Sequence, residues 1–143
     1  MTQNDKQFVY EFIHKHLIAA LACINHSCQP EASIVEFGDT PNLELTFDTL
    51  SKSYRKFKNL RNNPAVAFVI GWDDKITVQY EGIAKEITGE EAERYKEIFF
   101  EKNPDRARKW DNDPEVKHFL VRPKYIRYSD YDGKPYKIIE LKF

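Results

Sequence analysis

The sequence predicts a mainly β, α+β fold: an antiparallel barrel of six or seven strands with helices packed on it. Three observations carry this expectation. Strand-like segments follow one another in hairpin order, with three helical segments inserted between them, which does not match the regular alternation of a parallel nucleotide-binding sheet. The chain has only 5 glycines, widely spread, and no Gly-rich phosphate loop of the common types. Its 143 residues, 41% hydrophobic and 14% aromatic, suffice for one core but not two, so residues 1–143 read as a single domain.

Taken in order, Gln7 to His16 sets Phe8, Phe12 and Ile13, with Val9 beside them, on one helical stripe. Leu17 to Ile24 is an unbroken apolar run, read as a buried strand, and Asn25-His26-Ser27 turns the chain. Ala32 to Phe37 is a second strand, and Leu43 to Phe47, with clean alternation, a third. Ser53 to Asn62 reads as a short helix with Tyr54, Phe57 and Leu60 on one side, stopped by Asn63-Pro64. Ala65 to Trp72 and Ile76 to Ile87 form the next strands, and Gly82 marks a bulge or a close approach within the second. Thr88 with Glu91 fits a capping box for a helix whose apolar face is Ala92, Tyr95, Ile98 and Phe99. A polar stretch to Glu115 leads to two last strands, Lys117 to Tyr128 and Tyr136 to Phe143.

Composition excludes several classes. With 22 basic against 23 acidic side chains, the net charge of -1 offers no field for nucleic acid. No apolar run reaches the roughly 18 residues of a membrane helix, and the polar start lacks a signal core, so no membrane partner and a cytoplasmic location are expected. Two cysteines do not make a disulfide scaffold. His14, His16, Cys23, His26 and Cys28 have neither Cys-x-x-Cys nor His-x-x-x-His spacing, so no metal site is expected.

The most informative stretch runs from Thr46 to Pro64. Lys52, Arg55, Lys56, Lys58 and Arg61 occur there with no acid after Asp48. Ser51 and Ser53 precede the helix, so their hydroxyls and the free amides of its first turn offer donors to an anion, and Arg55 and Lys56 suit a phosphate dianion. The same pattern also fits a solvated basic helix face with ordinary serine capping.

Phe47-Asp48-Thr49, Ser53-Tyr54-Arg55-Lys56 and Asn59-Leu60-Arg61-Asn62-Asn63-Pro64 before an apolar strand resemble the FMN-binding split-barrel family typified by pyridoxamine 5'-phosphate oxidase. Val78 to Ala84 and Val121 to Tyr128 resemble later strands of that family, and the likeness covers Leu17 to Tyr131 in consistent order. The resemblance implies a six- to seven-stranded antiparallel split β-barrel. It implies a homodimer with two FMN at the subunit interface and an FMN-dependent oxidoreductase acting on a small-molecule redox substrate. Arg55 and Lys56 would hold the phosphate with a hydroxyl of Ser53 or Thr49. The segment Thr46-Phe47-Asp48-Thr49 would follow the ribityl chain, and Thr77 or Gln79 the pyrimidine edge of the flavin. Trp110 and Tyr131 are aromatics that either cover the flavin or its substrate or plug an edge of the core.

The departures from the family pattern bear on the substrate. Ser33 stands where the oxidases often have a phosphate-binding arginine. Phe99 and Asn103 stand where they have a tyrosine and an arginine for the vitamin B6 phosphate, and Tyr128 to Ile138 lacks the Arg-x-His pair. These differences argue against pyridoxamine 5'-phosphate as substrate. The alternative is a non-enzymatic flavin- or heme-binding protein of storage, stress or sensing type on the same fold, since relatives in the superfamily bind heme or a deazaflavin.

Overall fold

The computed structural model describes residues 1–106 and 112–143. The elements are α1 (Gln3–His14), β1 (Ile18–Ile24), β2 (Pro30–Glu36), β3 (Gly38–Asp39), β4 (Leu45–Leu50), α2 (Arg55–Asn62), β5 (Ala65–Ile70), β6 (Ile76–Ile87), α3 (Gly89–Lys102), β7 (Val116–Asp130) and β8 (Lys137–Lys142). The strands form one antiparallel sheet in the order β2-β1-β5-β6-β7-β4-β3, with β8 paired to β7 off this path. The sheet curls into the expected split barrel. Its count is one strand higher than the sequence suggests, because the two-residue β3 is too short to leave a periodic pattern.

α1 starts four residues earlier than its apolar stripe indicates, because Thr2 caps it. Thr2 Oγ1 accepts from the Asp5 amide at 3.0 Å, and Asp5 Oδ2 accepts from the Thr2 amide at 3.4 Å. The helix buries Val9, Phe12 and Ile13, spaced i, i+3, i+4, while Phe8 is largely exposed. The Thr88–Glu91 capping box does not form. Thr88 has the extended backbone of an N-cap but no side-chain bond, and Glu91 reaches back to Lys85 at 3.2 Å instead.

The core lies inside the curl, where Phe47 stacks on Phe119 at 5.5 Å and Phe68 meets Tyr80 edge-on at 5.7 Å. Burying each such ring contributes roughly 1.5–3 kcal/mol. Tyr80 is fully buried, and its hydroxyl donates to the Leu43 carbonyl at 2.8 Å. Gly82 sits where the β6–β7 register shifts, and a Cβ there would meet the Arg122 carbonyl and Val121 Cγ1, each at 2.7 Å.

β1 corrects the reading of a strand buried on both faces. Ala19, Leu21 and Cys23 enter the core, but Ile18, Ala20, Ala22 and Ile24 point outward. Ala20 pairs with Ile34 of β2 and Val69 of β5, and Ala22 with Ala32 and Ala67. The outer face of β2-β1-β5 is therefore apolar and uncovered among the described residues. No helix among the described residues is long and apolar enough to cross a membrane.

Candidate functional site

The sheet leaves its β1–β2 edge and the end of β4 facing each other across a gap. A groove of about 350 Å³ fills it, with Ile34 and Glu36 on one wall, Asp48 and Thr49 on the other, and Lys56 and Arg106 beside them. A second groove, of about 410 Å³, shares Ile34, Tyr54 and Lys56 and adds Ser33, Glu31 and Arg55. Folding thus gathers Asp48, Thr49, Arg55 and Lys56, together with Ser33, around the start of α2.

The N-cap of α2 is Tyr54, which makes no capping bond from its side chain. The serine capping expected from Ser53 is directed elsewhere. Ser53 donates its hydroxyl and its amide to Glu115 Oε1, each at 2.8 Å, and the Lys52 amide joins them at 3.0 Å. Those bonds hold the Glu115 carboxyl below the usual carboxylate range. Glu115 is thus an internal anion on the turn before the helix, while the first amides of α2 itself have no side-chain cap.

The two cations differ. The Arg55 side chain is 84% exposed and pairs with Glu31 at 3.5 Å. Lys56 is partly buried, has no carboxylate within ion-pair distance among the described residues, and lies 5.8 Å from the Tyr54 ring centre. Burial pulls its ammonium below the ordinary lysine value, against the opposing influence of Cys23 and Asp48. Asp48 is buried, and that burial pushes its carboxyl up although Arg106 lies 2.5 Å from Oδ1. Arg106 also meets Glu36 at 3.2 Å.

Several buried polar atoms of the expected site find no hydrogen-bond partner among the described residues. They are Thr46 Oγ1, Asp48 Oδ2, Thr49 Oγ1 and Thr77 Oγ1. Leaving such a group unsatisfied costs about 1–3 kcal/mol, so each one points to a missing partner. Asp48 and Thr49 line the groove, whereas Thr46 lies against Gly38, with its Cγ2 2.9 Å from where a Cβ would stand.

Other expected residues lie elsewhere. The Phe47 side chain is fully buried in the core, so only its backbone is available to a ligand. Thr77 and Gln79 are on β6, opposite Ser129 and Arg127 of β7, and do not line the groove. Tyr131 follows β7 and meets Tyr136 edge-on at 5.1 Å. Trp110 lies outside the described residues. Phe99 is core, and Asn103 caps α3 by donating to the Phe37 and Phe99 carbonyls at 3.0 Å. Sequence reasoning missed Glu36, Arg106 and Glu115, which reach the site from far along the chain and belong to no local pattern.

Comparison with known proteins bears on this arrangement. The family model for pyridoxamine 5'-phosphate oxidase matches residues 6–130. A heme-binding protein from Mycobacterium smegmatis superposes with a TM-score of 0.81 at 15% identity, over 96% of this chain and 57% of that one. A Clostridium acetobutylicum protein related to general stress protein 26 of B. subtilis, of the pyridoxinephosphate oxidase family, gives 0.77 at 11% identity, over 100% and 97%. Campylobacter jejuni ChuZ gives 0.79 at 15% identity, over 99% and 61%. At these identities the structures share the fold. The chain spans little more than half the length of the first of them. No curated protein matches the sequence.

Proposed function

Since the chain belongs to the pyridoxamine 5'-phosphate oxidase family, we propose that it is a homodimeric FMN-binding flavoprotein and an FMN-dependent oxidoreductase. One observation carries the choice of ligand. The groove combines a partly buried lysine with the uncapped start of a helix, and beside them Asp48 Oδ2 and Thr49 Oγ1 lack partners among the described residues. A phosphate on a polyhydroxyl chain matches both halves: the anion meets Lys56 and the α2 amides, and the hydroxyls donate to the orphaned oxygens. The residues present therefore fit FMN.

FMN supplies two-electron redox chemistry at its ring when bound. Lys56 would hold the phosphate, with the exposed Arg55 beside it. Asp48 accepts from the ribityl chain, and Thr49 is the hydroxyl free to bond it, since the hydroxyl of Ser53 serves Glu115. Thr77 and Gln79 lie apart from this groove in their own subunit, and in a dimer they reach the flavin ring bound by the other copy. The apolar outer face of β2-β1-β5 supports that dimer. Pyridoxamine 5'-phosphate is not the substrate we propose, because Phe99 packs in the core and Asn103 caps a helix, leaving neither to bind its phosphate. Steady oxidation of that compound, saturating at micromolar concentration, overturns this exclusion.

A second reading, a heme carrier, is favoured by the fold shared with the Mycobacterium smegmatis heme-binding protein. A porphyrin brings no hydroxyl donors for Asp48 and Thr49, which weighs against it. The test is the absorbance of the protein reconstituted separately with FMN and with heme. Stoichiometric FMN binding with bleaching by a nicotinamide donor is expected. Tight heme binding with a sharp Soret band, and no FMN binding, overturns the flavin reading.

A further inference from the structure

The grooves at the barrel split do not end at the phosphate clamp. The second groove shares Glu31 and Arg55 with a third cavity of about 280 Å³, lined also by His26, Lys58, Asn59 and Asn62. Each groove thus shares lining residues with the next, from Asp48 past the start of α2 to the β1–β2 turn. Their cations follow in series: Arg106 in the first, Lys56 in the first two, Arg55 in the second and third, Lys58 in the third. Glu31 is the one acid of the third cavity, and Asn25, Asn59 and Arg55 already engage it, at 3.0, 3.1 and 3.5 Å. A mononucleotide phosphate at Lys56 and Arg55 leaves Lys58 and the third cavity unused.

We propose that these adjoining grooves together take a flavin dinucleotide, such as FAD, whose second phosphate lies between Arg55 and Lys58 and whose nucleoside occupies the cavity at His26 and Asn62. This rests on the flavin reading and deepens it. A diphosphate carries its charges one after another along the chain, which is how the cations are arranged, and the base meets amide and imidazole groups able to hydrogen bond its edge. Lys58 lines the third cavity and neither of the other two grooves, so it discriminates between the two flavins where Lys56 cannot.

Calorimetric titration of the full chain with FMN, FAD and ADP tests this, alongside Lys58→Ala and His26→Ala variants checked for unchanged melting temperature. FAD is expected to bind at least tenfold more tightly than FMN. Lys58→Ala is expected to weaken FAD and ADP by about tenfold, the scale of one charge-assisted bond, and to leave FMN within twofold. FAD binding no better than FMN, or a Lys58→Ala effect equal on both, overturns the dinucleotide proposal and spares the flavin reading. Failure of both flavins to bind overturns the two together.

Discussion

At the scale of single residues, Arg55 and Lys56 are neighbours in sequence with different physical situations. Lys56 is partly withdrawn from water beside an uncapped helix start, so its bond to an anion is less screened than one from the exposed, Glu31-paired Arg55. Replacing both by alanine should weaken FMN by about 3 kcal/mol, each charge-assisted bond contributing roughly 1.5–3 kcal/mol, with Lys56→Ala accounting for most of it. Riboflavin, which lacks the phosphate, should bind wild type and double variant alike. Fluorescence-quenching titrations with both ligands read this directly, and unchanged FMN affinity would make the segment a solvated surface.

Asp48 gives a pH signature. Its native carboxyl holds its proton at higher pH than an aspartate of the unfolded chain, whose ordinary value is 3.8. Between those two values the native state binds more protons, so this residue's contribution to stability falls as pH rises through the window and stays low above it. Glu31 and Glu115 act in the opposite sense, since hydrogen bonds lower both, and their contributions are lost as pH falls below the ordinary 4.5. Asp48→Asn, uncharged at every pH, should therefore raise the melting temperature near pH 7 and change it little at pH 3, where the native Asp48 is protonated too. Melting curves from pH 3 to 8 check it; a gain no larger at pH 7 than at pH 3 contradicts the burial argument.

At the scale of elements, the β6–β7 ladder is the longest in the sheet, running from Ile76↔Asp130 to Ile87↔His118. Its bulge at Gly82 is needed because the β7 backbone passes too close for a side chain. Gly82→Ala should cost about 1–3 kcal/mol, the scale of overpacking in a tight core, measured as a shift in urea midpoint. A glycine alone in a strand pattern was enough to foresee this. The N-terminus of α1 was less legible, because its capping residues precede the apolar stripe that marks the helix. The start of α2 was not legible, because the serines before it suggest a cap while Glu115 draws Ser53 away; at α3 Thr88 does stand at the N-cap, but Glu91 pairs with Lys85 and does not complete the box. Local capping signals lose when a tertiary partner offers a better bond.

At the scale of the whole molecule, the apolar outer face of the sheet is the main unsettled surface. Ile34, Ala20, Val69 and Gln79 lie in one cross-strand row, and Ala32, Ala22, Ala67 and Glu81 in the next. Small side chains in both rows allow a second sheet to approach closely, which suits self-association through a twofold axis. Light scattering should report a dimer at micromolar concentration. Val69→Glu, at a position already exposed, should give a monomer that melts nearly as the wild type does but binds FMN far more weakly. A flavin-loaded wild-type monomer defeats the dimer.

Hairpin order, the alternation of Leu43 to Phe47, and the run of cations around Arg55 and Lys56 are properties of neighbouring residues, so the sequence by itself determined the antiparallel barrel and where its cations cluster. Burial cannot be read that way. Only the folded chain decided that half of β1 faces outward, that Phe47 belongs to the core, and that Arg106 bonds Asp48 and Glu115 bonds Ser53 across 58 and 62 residues, with Glu36 beside them. The physical reason is range. Periodicity and charge runs act through bonds spanning a few residues, whereas burial and the pairing of buried charges depend on which distant strands the curl of the sheet brings together.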